Sequence, residues 1–303
     1  MIFIMELREF EEKFSIQEQC LDYLVGLRWP NGVCCQKSAC QERVKRKRNS
    51  FKLTSQYRFK CPYCKHQTSV IAETMFQGTR YKMMPLLFRA IWYVTSQDNG
   101  TSVLDLQKFL GLGSYKTVWI WLQKLRQAMS YAEHVKLQGR VIVGDFSIIV
   151  KSRCTVLIAI EYDEKTITRI HMSSSYKDID SFIKSCIKSG STIESDSCDI
   201  RLIMSELGYT LKPTSSTHIA NYDVLPSVHN VISYLEEKGL LGKLPPLGSE
   251  EYLDYYLGEC CFKFNRRQSK GTWFDDFMKN AVEFTPLQKS NYYYPHFQNI
   301  PWR

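Results

Sequence analysis

The sequence predicts a multidomain chain of α+β and α/β parts: an N-terminal zinc ribbon, a helix-turn-helix, and a mixed sheet flanked by helices. Three observations carry this. Cys61-Pro62-Tyr63-Cys64 has the Cys-x2-Cys spacing that puts two thiolates on one tetrahedral zinc, and Cys34, Cys35 and Cys40 stand upstream of it. Residues 82–129 repeat apolar side chains at helical spacing around a glycine break. From Val141 onward, three β-rich runs precede an alternation of helical and strand-like stretches.

Composition narrows the function classes. A chain of 303 residues with 44% apolar content can bury a core of its own. A formal charge of +9 and a pI near 8.9 suit an acidic partner such as nucleic acid. No apolar run reaches the ~18 residues that span a bilayer, and Met1-Ile2-Phe3-Ile4-Met5 meets charge too soon for a signal peptide. The expectation is therefore an intracellular protein without membrane contact, in the cytoplasm or nucleoid of a bacterial host or the nucleus of a eukaryotic one. Its cysteines are then reduced, so close spacing reads as metal before disulfide.

Residues 1–28 form an N-terminal helical segment. Phe14, Ile16, Cys20, Leu21, Leu24 and Leu27 recur near helical spacing, with Ser15 as N-cap and Glu18 three residues on as a capping box. Trp29-Pro30-Asn31-Gly32 turns the chain. The zinc ribbon then covers 29–72, with Cys35, Cys40, Cys61 and Cys64 as ligands and Cys34 as the alternative to Cys35. Four thiolates leave no open coordination position, so such a site is structural. Between the cysteine pairs, Lys45, Arg46, Lys47 and Arg48 sit in a basic run. The run is a solvated loop, a nuclear-import signal, or a set of phosphate contacts, and the neighbouring ribbon favours the last.

Residues 80–132 read as a helix-turn-helix. Asp98-Asn99-Gly100 turns the chain, and Thr101 or Ser102 caps a helix carrying Val103, Leu104, Leu106, Phe109 and Leu110. Gly111-Leu112-Gly113 breaks it, and Ser114 caps a longer helix that opens on Tyr115, Lys116 and Thr117. Those three residues, with Lys124 and Arg126 further along, would face a major groove. A helical hairpin that only builds core has the same apolar pattern.

Residues 140–285 form the third part, and 286–303 a C-terminal tail. The β-branched run Val141 to Val150 is interrupted by one carboxylate, Asp145, which a buried strand tolerates only with a compensating cation or donor. Thr155 to Tyr162 and Thr166 to Met172 continue an antiparallel meander through a tight hairpin. A helix from Asp178 to Lys188, a strand Thr192 to Ser195 that delivers Asp196, a helix from Asp199 to Leu207, a strand Tyr209 to Lys212 and a helix after Pro226 follow. Helices Ser249 to Phe264 and Phe274 to Val282 close the region. The order βββ-α-β-α-β-α resembles that of ribonuclease H-like nucleases. There a central-strand carboxylate, a neighbouring strand-end carboxylate and a group on a late helix converge on divalent metal. The candidates are Asp145, Asp196, and one of His229, Glu236 and Glu237. Taken alone, Asp196 reads nearly as well as a helix N-cap, and His229 reads first as a structural histidine.

Several motifs in order resemble the zinc-ribbon insertion-sequence transposases of the ISXO-like group, relatives of Merlin transposons. They are Leu27-Arg28-Trp29-Pro30-Asn31-Gly32 before the cysteines, Gln67-Thr68-Ser69, Ala90 to Ser96, Gly113 to Trp119, Leu225-Pro226-Ser227-Val228-His229, and Phe262-Lys263-Phe264-Asn265-Arg266-Arg267. The resemblance implies a DDE-type core with Asp145 and Asp196 as the two acids and His229 third, working with Mg2+ or Mn2+. It also implies double-stranded DNA partners, namely transposon terminal inverted repeats and target DNA, and a homo-oligomer. The chain departs from that group at Phe146, where a second acid is usual, at Ser197-Cys198 after the second acid, and at Glu236 in place of a helix lysine. Either Glu236 or Glu237 supplies a third carboxylate, or the chain binds DNA without cutting it.

Overall fold

The computed structural model describes residues 6–33, 35, 40, 57–61, 63–149, 153–163, 166–174, 179–195, 197–211, 226–241 and 252–285. The chain divides into two compact units. Unit 1 comprises Met1–Ser96, Leu106–Ala128 and Lys270–Gln288; unit 2 comprises Gln97–Asp105, Met129–Ser269 and Lys289–Arg303.

In unit 1 the N-terminal segment is two helices, α1 (Leu7–Lys13) and α2 (Gln17–Arg28). Because the helix restarts at Gln17, the residue that reaches back is Gln19 rather than the expected Glu18. Gln19 Oε1 accepts from the Ile16 N–H at 3.2 Å and from Ser15 Oγ at 3.1 Å. A short hairpin, β1 (Arg58–Lys60) and β2 (Gln67–Ser69), follows in antiparallel register Arg58↔Ser69. After a one-turn 3-10 helix at Tyr81–Met83 comes α3 (Met84–Ser96), whose Leu87, Phe88, Ile91 and Val94 are buried. Helix α4 (Val103–Leu110) is capped by Ser102, whose Oγ accepts from the Asp105 N–H at 3.1 Å. Gly111 turns the chain at φ +64°, a conformation that costs glycine nothing. Ser114 then caps α5 (Tyr115–Ala132), accepting from the Thr117 N–H at 3.3 Å. The boundary between the units runs through α4 and α5.

The sequence pattern carries the third part on to residue 285, whereas the structure groups Lys270–Gln288 with the N-terminal helices. An aromatic cluster accounts for that grouping. Phe14 lies 5.1 Å from Phe10, 5.1 Å from Phe88 and 5.7 Å from Phe274, ring centre to ring centre. Tyr23 also donates to Asp275 Oδ1 at 2.8 Å.

Unit 2 is a five-stranded mixed sheet flanked by helices, with strand order β5-β4-β3-β6-β7. Strands β3 (Arg140–Ile149), β4 (Arg153–Asp163) and β5 (Thr166–Ser173) make the antiparallel meander expected from their hydrophobic runs. Helix α6 (Ile179–Cys186) then leads to β6 (Thr192–Glu194), which pairs parallel with β3, Ile142 opposite Glu194. Helix α7 (Cys198–Glu206), β7 (Thr210–Leu211), α8 (Pro226–Glu237) and α9 (Leu253–Asn265) complete the unit. Unit 1 regains the chain with α10 (Trp273–Ala281).

Alternation along β3 sends its residues to two cores. Val141 and Val143 join Ile183, Ile193 and Met204 under α6 and α7. Ile142, Phe146 and Ile148 join Val228, Val231, Leu235 and Leu257 under α8 and α9. Each fully buried side chain of this size contributes about 1.5–3 kcal/mol, so β3, buried on both faces, is the strand the unit can least lose.

The motif Phe262 to Arg267 locks the open edge of β5. Asn265 accepts from the Ile170 N–H at 2.7 Å and donates to the Ile170 carbonyl at 3.0 Å, satisfying backbone groups that an edge strand leaves unpaired. Its amide also donates to the buried Glu133 at 2.5 Å, and Arg266 pairs with the other Glu133 oxygen. Arg267 donates to the Ile167 and Phe264 carbonyls.

Gly258 is where α9 approaches α5 closely, since a Cβ there would lie 2.6 Å from Ser130 Cβ, an atom no rotamer change can move. Alanine would gain about 1 kcal/mol of helix propensity but incur overpacking of about 1–3 kcal/mol. Gly258→Ala should therefore lower the urea midpoint; an unchanged or raised midpoint would show that the helices separate without cost.

Candidate functional site

The strongest site in the described residues is the cluster of Cys35, Cys40, Cys61 and Cys64, whose sulfurs all lie within 4.8 Å of one another. Strand β1 runs into Cys61 and β2 leaves after His66, so the hairpin holds the turn between them. Within it the Cys61 N–H donates to the His66 carbonyl at 2.8 Å and the Lys65 N–H to the Cys61 carbonyl at 2.9 Å. Lys65 takes the left-handed conformation, φ +59°, that the tight turn requires. Sulfur separations of 3.5 Å for Cys35 to Cys64 and for Cys40 to Cys61 suit a tetrahedral ion. Four Zn–S bonds of about 2.3 Å would place the sulfurs about 3.8 Å apart.

The four thiols are not equivalent. Burial, reinforced by hydrogen bonds with the other thiols, pushes Cys40 up to about 12. At Cys61 burial acts in the same direction but is outweighed by the N–H groups of Cys64 and Tyr63, which bring it to about 7. Burial favours the neutral thiol at Cys40 and backbone donors favour the thiolate at Cys61; a cation bound among them would favour the thiolate at all four. The cluster takes Cys35; Cys34 lies outside the described residues, as do Lys45, Arg46, Lys47 and Arg48.

In the helix pair, Lys116 is exposed at the start of α5 and Tyr115 and Thr117 are half-buried. Lys124 is elsewhere. It is 5% exposed, and its ammonium donates to the Gln77 carbonyl at 3.1 Å. Arg126 is 1% exposed. The basic face read from these two residues is internal because every residue from Trp121 to Met129 is buried, which leaves this stretch of α5 without an exposed face.

In unit 2, Asp145 stands half-buried in the middle of β3, opposite Leu157 of β4. Its partner strand on the other side, β6, ends at Glu194 level with Ile142, so Asp145 lies just past the carboxyl end of β6. That is where ligands collect in open α/β sheets, at the point where connections leave a strand in two directions. Asp196 lies outside the described residues. The N-cap role weighed for it is filled by Ser197, whose Oγ accepts from the Ile200 N–H at 3.5 Å.

Helix α8 lies on the opposite face of the sheet from Asp145. Val228 sits over Gly144, where a Cβ would meet Val228 Cγ2 at 3.2 Å. Strand alternation gives Asp145 the face of Val141 and Val143. His229 is exposed, with Nδ1 3.4 Å from Ser233 Oγ, and Glu236 and Glu237 are exposed further along. His229 and Glu236 are seven positions apart, about 10 Å of helix rise. Of the pair, His229 is on the turn next to β3.

Sequence reasoning missed Glu194. This carboxylate, 8% exposed at the end of β6, is held by Arg140 through Nε at 2.9 Å and Nη2 at 2.8 Å. The hydrogen bonds with Glu194 raise the Arg140 pKa. The bidentate pair offsets the charge of Glu194 and engages both its oxygens. Arg140 also stacks over Tyr162 at 5.5 Å, and Tyr162 donates to Ser227, fastening the start of α8 to β4. The arginine and glutamate are 54 residues apart, so only the parallel pairing of β3 and β6 reveals the interaction.

Comparison with protein-family models, curated proteins and solved structures found no match to the chain. No helix of the described residues is long and apolar enough to cross a membrane.

Purified protein should carry one tightly held metal ion per chain, and Cys61→Ser should abolish it. Structural zinc contributes on the order of 10 kcal/mol to its fold at neutral pH, so chelation should lower the thermal midpoint. Stoichiometric metal in Cys61→Ser would rule the cluster out.

Proposed function

We propose that this protein is a DNA transposase of the DDE type, with a structural zinc ribbon and a helix-turn-helix that bind transposon ends and a ribonuclease H-like core that cuts and joins them. The observation that carries the reading is Asp145 on the central strand of a mixed five-stranded sheet, just beyond the end of the parallel strand that leads to Asp196. The order of elements, three antiparallel strands followed by alternating helices and strands, is the one expected of such a core. The +9 charge and the exposed Lys116 at the start of α5 suit a DNA partner.

Carboxylates are hard oxygen ligands, and Mg2+ prefers them. Asp145 and Asp196 would hold the ions; the third group the resemblance implies, His229, an imidazole better suited to Mn2+ than to Mg2+, stands across the sheet from Asp145. When bound, the metal would supply charge neutralisation at the phosphorus and an activated water for strand cleavage. The protein's own part is to fix Asp145 on a rigid strand.

A second reading is favoured by one observation: α8 and Asp145 occupy opposite faces of the sheet. A core whose third group stays on the far side would bind transposon ends without cutting them, as a catalytically inactive or domesticated transposase-derived DNA-binding and regulatory protein.

A strand-transfer assay on terminal inverted repeats with Mg2+ or Mn2+ separates the two. The transposase reading expects product from the wild type and a loss of at least a hundredfold in Asp145→Asn. Equal product from both would discard the assigned acid, and DNA binding without product in the wild type would establish the second reading.

A further inference from the structure

We propose that a cationic cleft beside the ribbon hairpin grips the sugar-phosphate backbone of duplex DNA. This rests on the DNA-binding half of the proposed function, and not on the cutting chemistry.

The cleft holds about 610 Å³ and lies wholly within unit 1. One wall is the hairpin, with Arg58 on β1 and Ser69 on β2; the other is the turn from Gln77 to Tyr81, with Arg80 at its end. Both guanidiniums are on exposed residues, and among the described residues no carboxylate lines the space. Exposed Lys60 and Lys82 stand next to it in the chain. Two planar, permanently charged forks lining one cleft suit the phosphates of a DNA backbone, which arginine binds bidentately. The apolar part of the lining, Ile71, Ala72 and Tyr81, suits deoxyribose.

The walls are built before any ligand arrives. Ser69 Oγ and Tyr81 Oη are 2.9 Å apart and hydrogen-bonded across the cleft. Arg28 donates to the Ser69 and Val70 carbonyls at 2.9 and 2.8 Å, fixing the exit of β2. On the facing wall, buried Lys124 holds the Gln77 carbonyl, and Gln77 Oε1 accepts from the Glu73 N–H at 2.8 Å. Gly78 follows at φ +78°, without a side chain to obstruct a strand. Lys124 is thus a positioning residue: it supports the wall from beneath rather than touching phosphate.

The test uses the full chain with its metal, a fluorescent duplex of about 25 base pairs, and a salt titration. Removing one phosphate-binding arginine should lower the slope of log affinity against log salt by about 1. Arg58→Gln/Arg80→Gln should therefore lower it by about 2, weaken binding roughly tenfold, and keep one metal per chain. Thr79→Glu, which adds a carboxylate to the wall and removes no arginine, should also weaken binding. If the double variant binds with the wild-type slope, the cleft proposal is overturned while DNA binding stands. If the wild type binds no duplex, both fall. Micromolar binding of AMP that the double variant loses, with duplex affinity unchanged, would make the cleft a mononucleotide site and overturn the proposal as stated.

Discussion

The pairing of β3 is the constraint from which unit 2 is built. This strand pairs along its whole length with β4, takes β6 in parallel on its other side, and sends alternate residues into cores on both faces. Between Val141 and Gly144 the strand has no solvent face on which to place polar residues without cost, and its polar residues, Arg140, Asp145 and Ser147, stand outside that stretch. Arg140 at one end is resolved by Glu194, and Asp145 in the middle is set where the β6 partner has already ended. The same geometry puts a carboxylate of β3 beyond the last residue of its parallel neighbour.

Buried charge is used elsewhere in the unit as a fastener. Glu133 gathers Arg266, Asn265 and, at 3.6 Å, Arg169; Lys263 pairs with Glu259 at 3.0 Å and donates to the Asn99 carbonyl at 2.7 Å. Burying ions is expensive unless every member is paired, so such networks contribute to a unique arrangement more than to net stability. Here they tie α9 to the exposed edge of β5, which protects an edge strand from pairing with other chains. In unit 1 the corresponding fasteners are the thiolate cluster and the aromatic cluster around Phe14.

Much of the architecture is legible in local patterns. The meander follows from three β-branched runs, the α4 and α5 caps from Ser102 and Ser114 before apolar stripes, and the four-cysteine cluster from the Cys61 and Cys64 spacing with the cysteines upstream. What escaped the sequence depends on distance along the chain. Grouping α10 with α2 and α3 requires seeing Phe274 among Phe10 and Phe14. Lys124 and Arg126 look like a basic face until this stretch of α5 is seen to be buried, Lys124 against the Gln77 carbonyl. For the candidate acids, the strand position of Asp145 is predictable from its flanks. The face it shares, and the side on which α8 lies, follow only from register.

The central claim is that Asp145 belongs to a divalent-metal site in unit 2, separate from the thiolate cluster. Titration of the purified, zinc-loaded protein with Mn2+, followed by electron paramagnetic resonance, addresses it without any assumption about DNA sequence. The account predicts a Mn2+ site in the wild type that Asp145→Asn loses while the ribbon metal stays at one per chain. Mn2+ binding that is the same in both proteins, or absent from both, would contradict it.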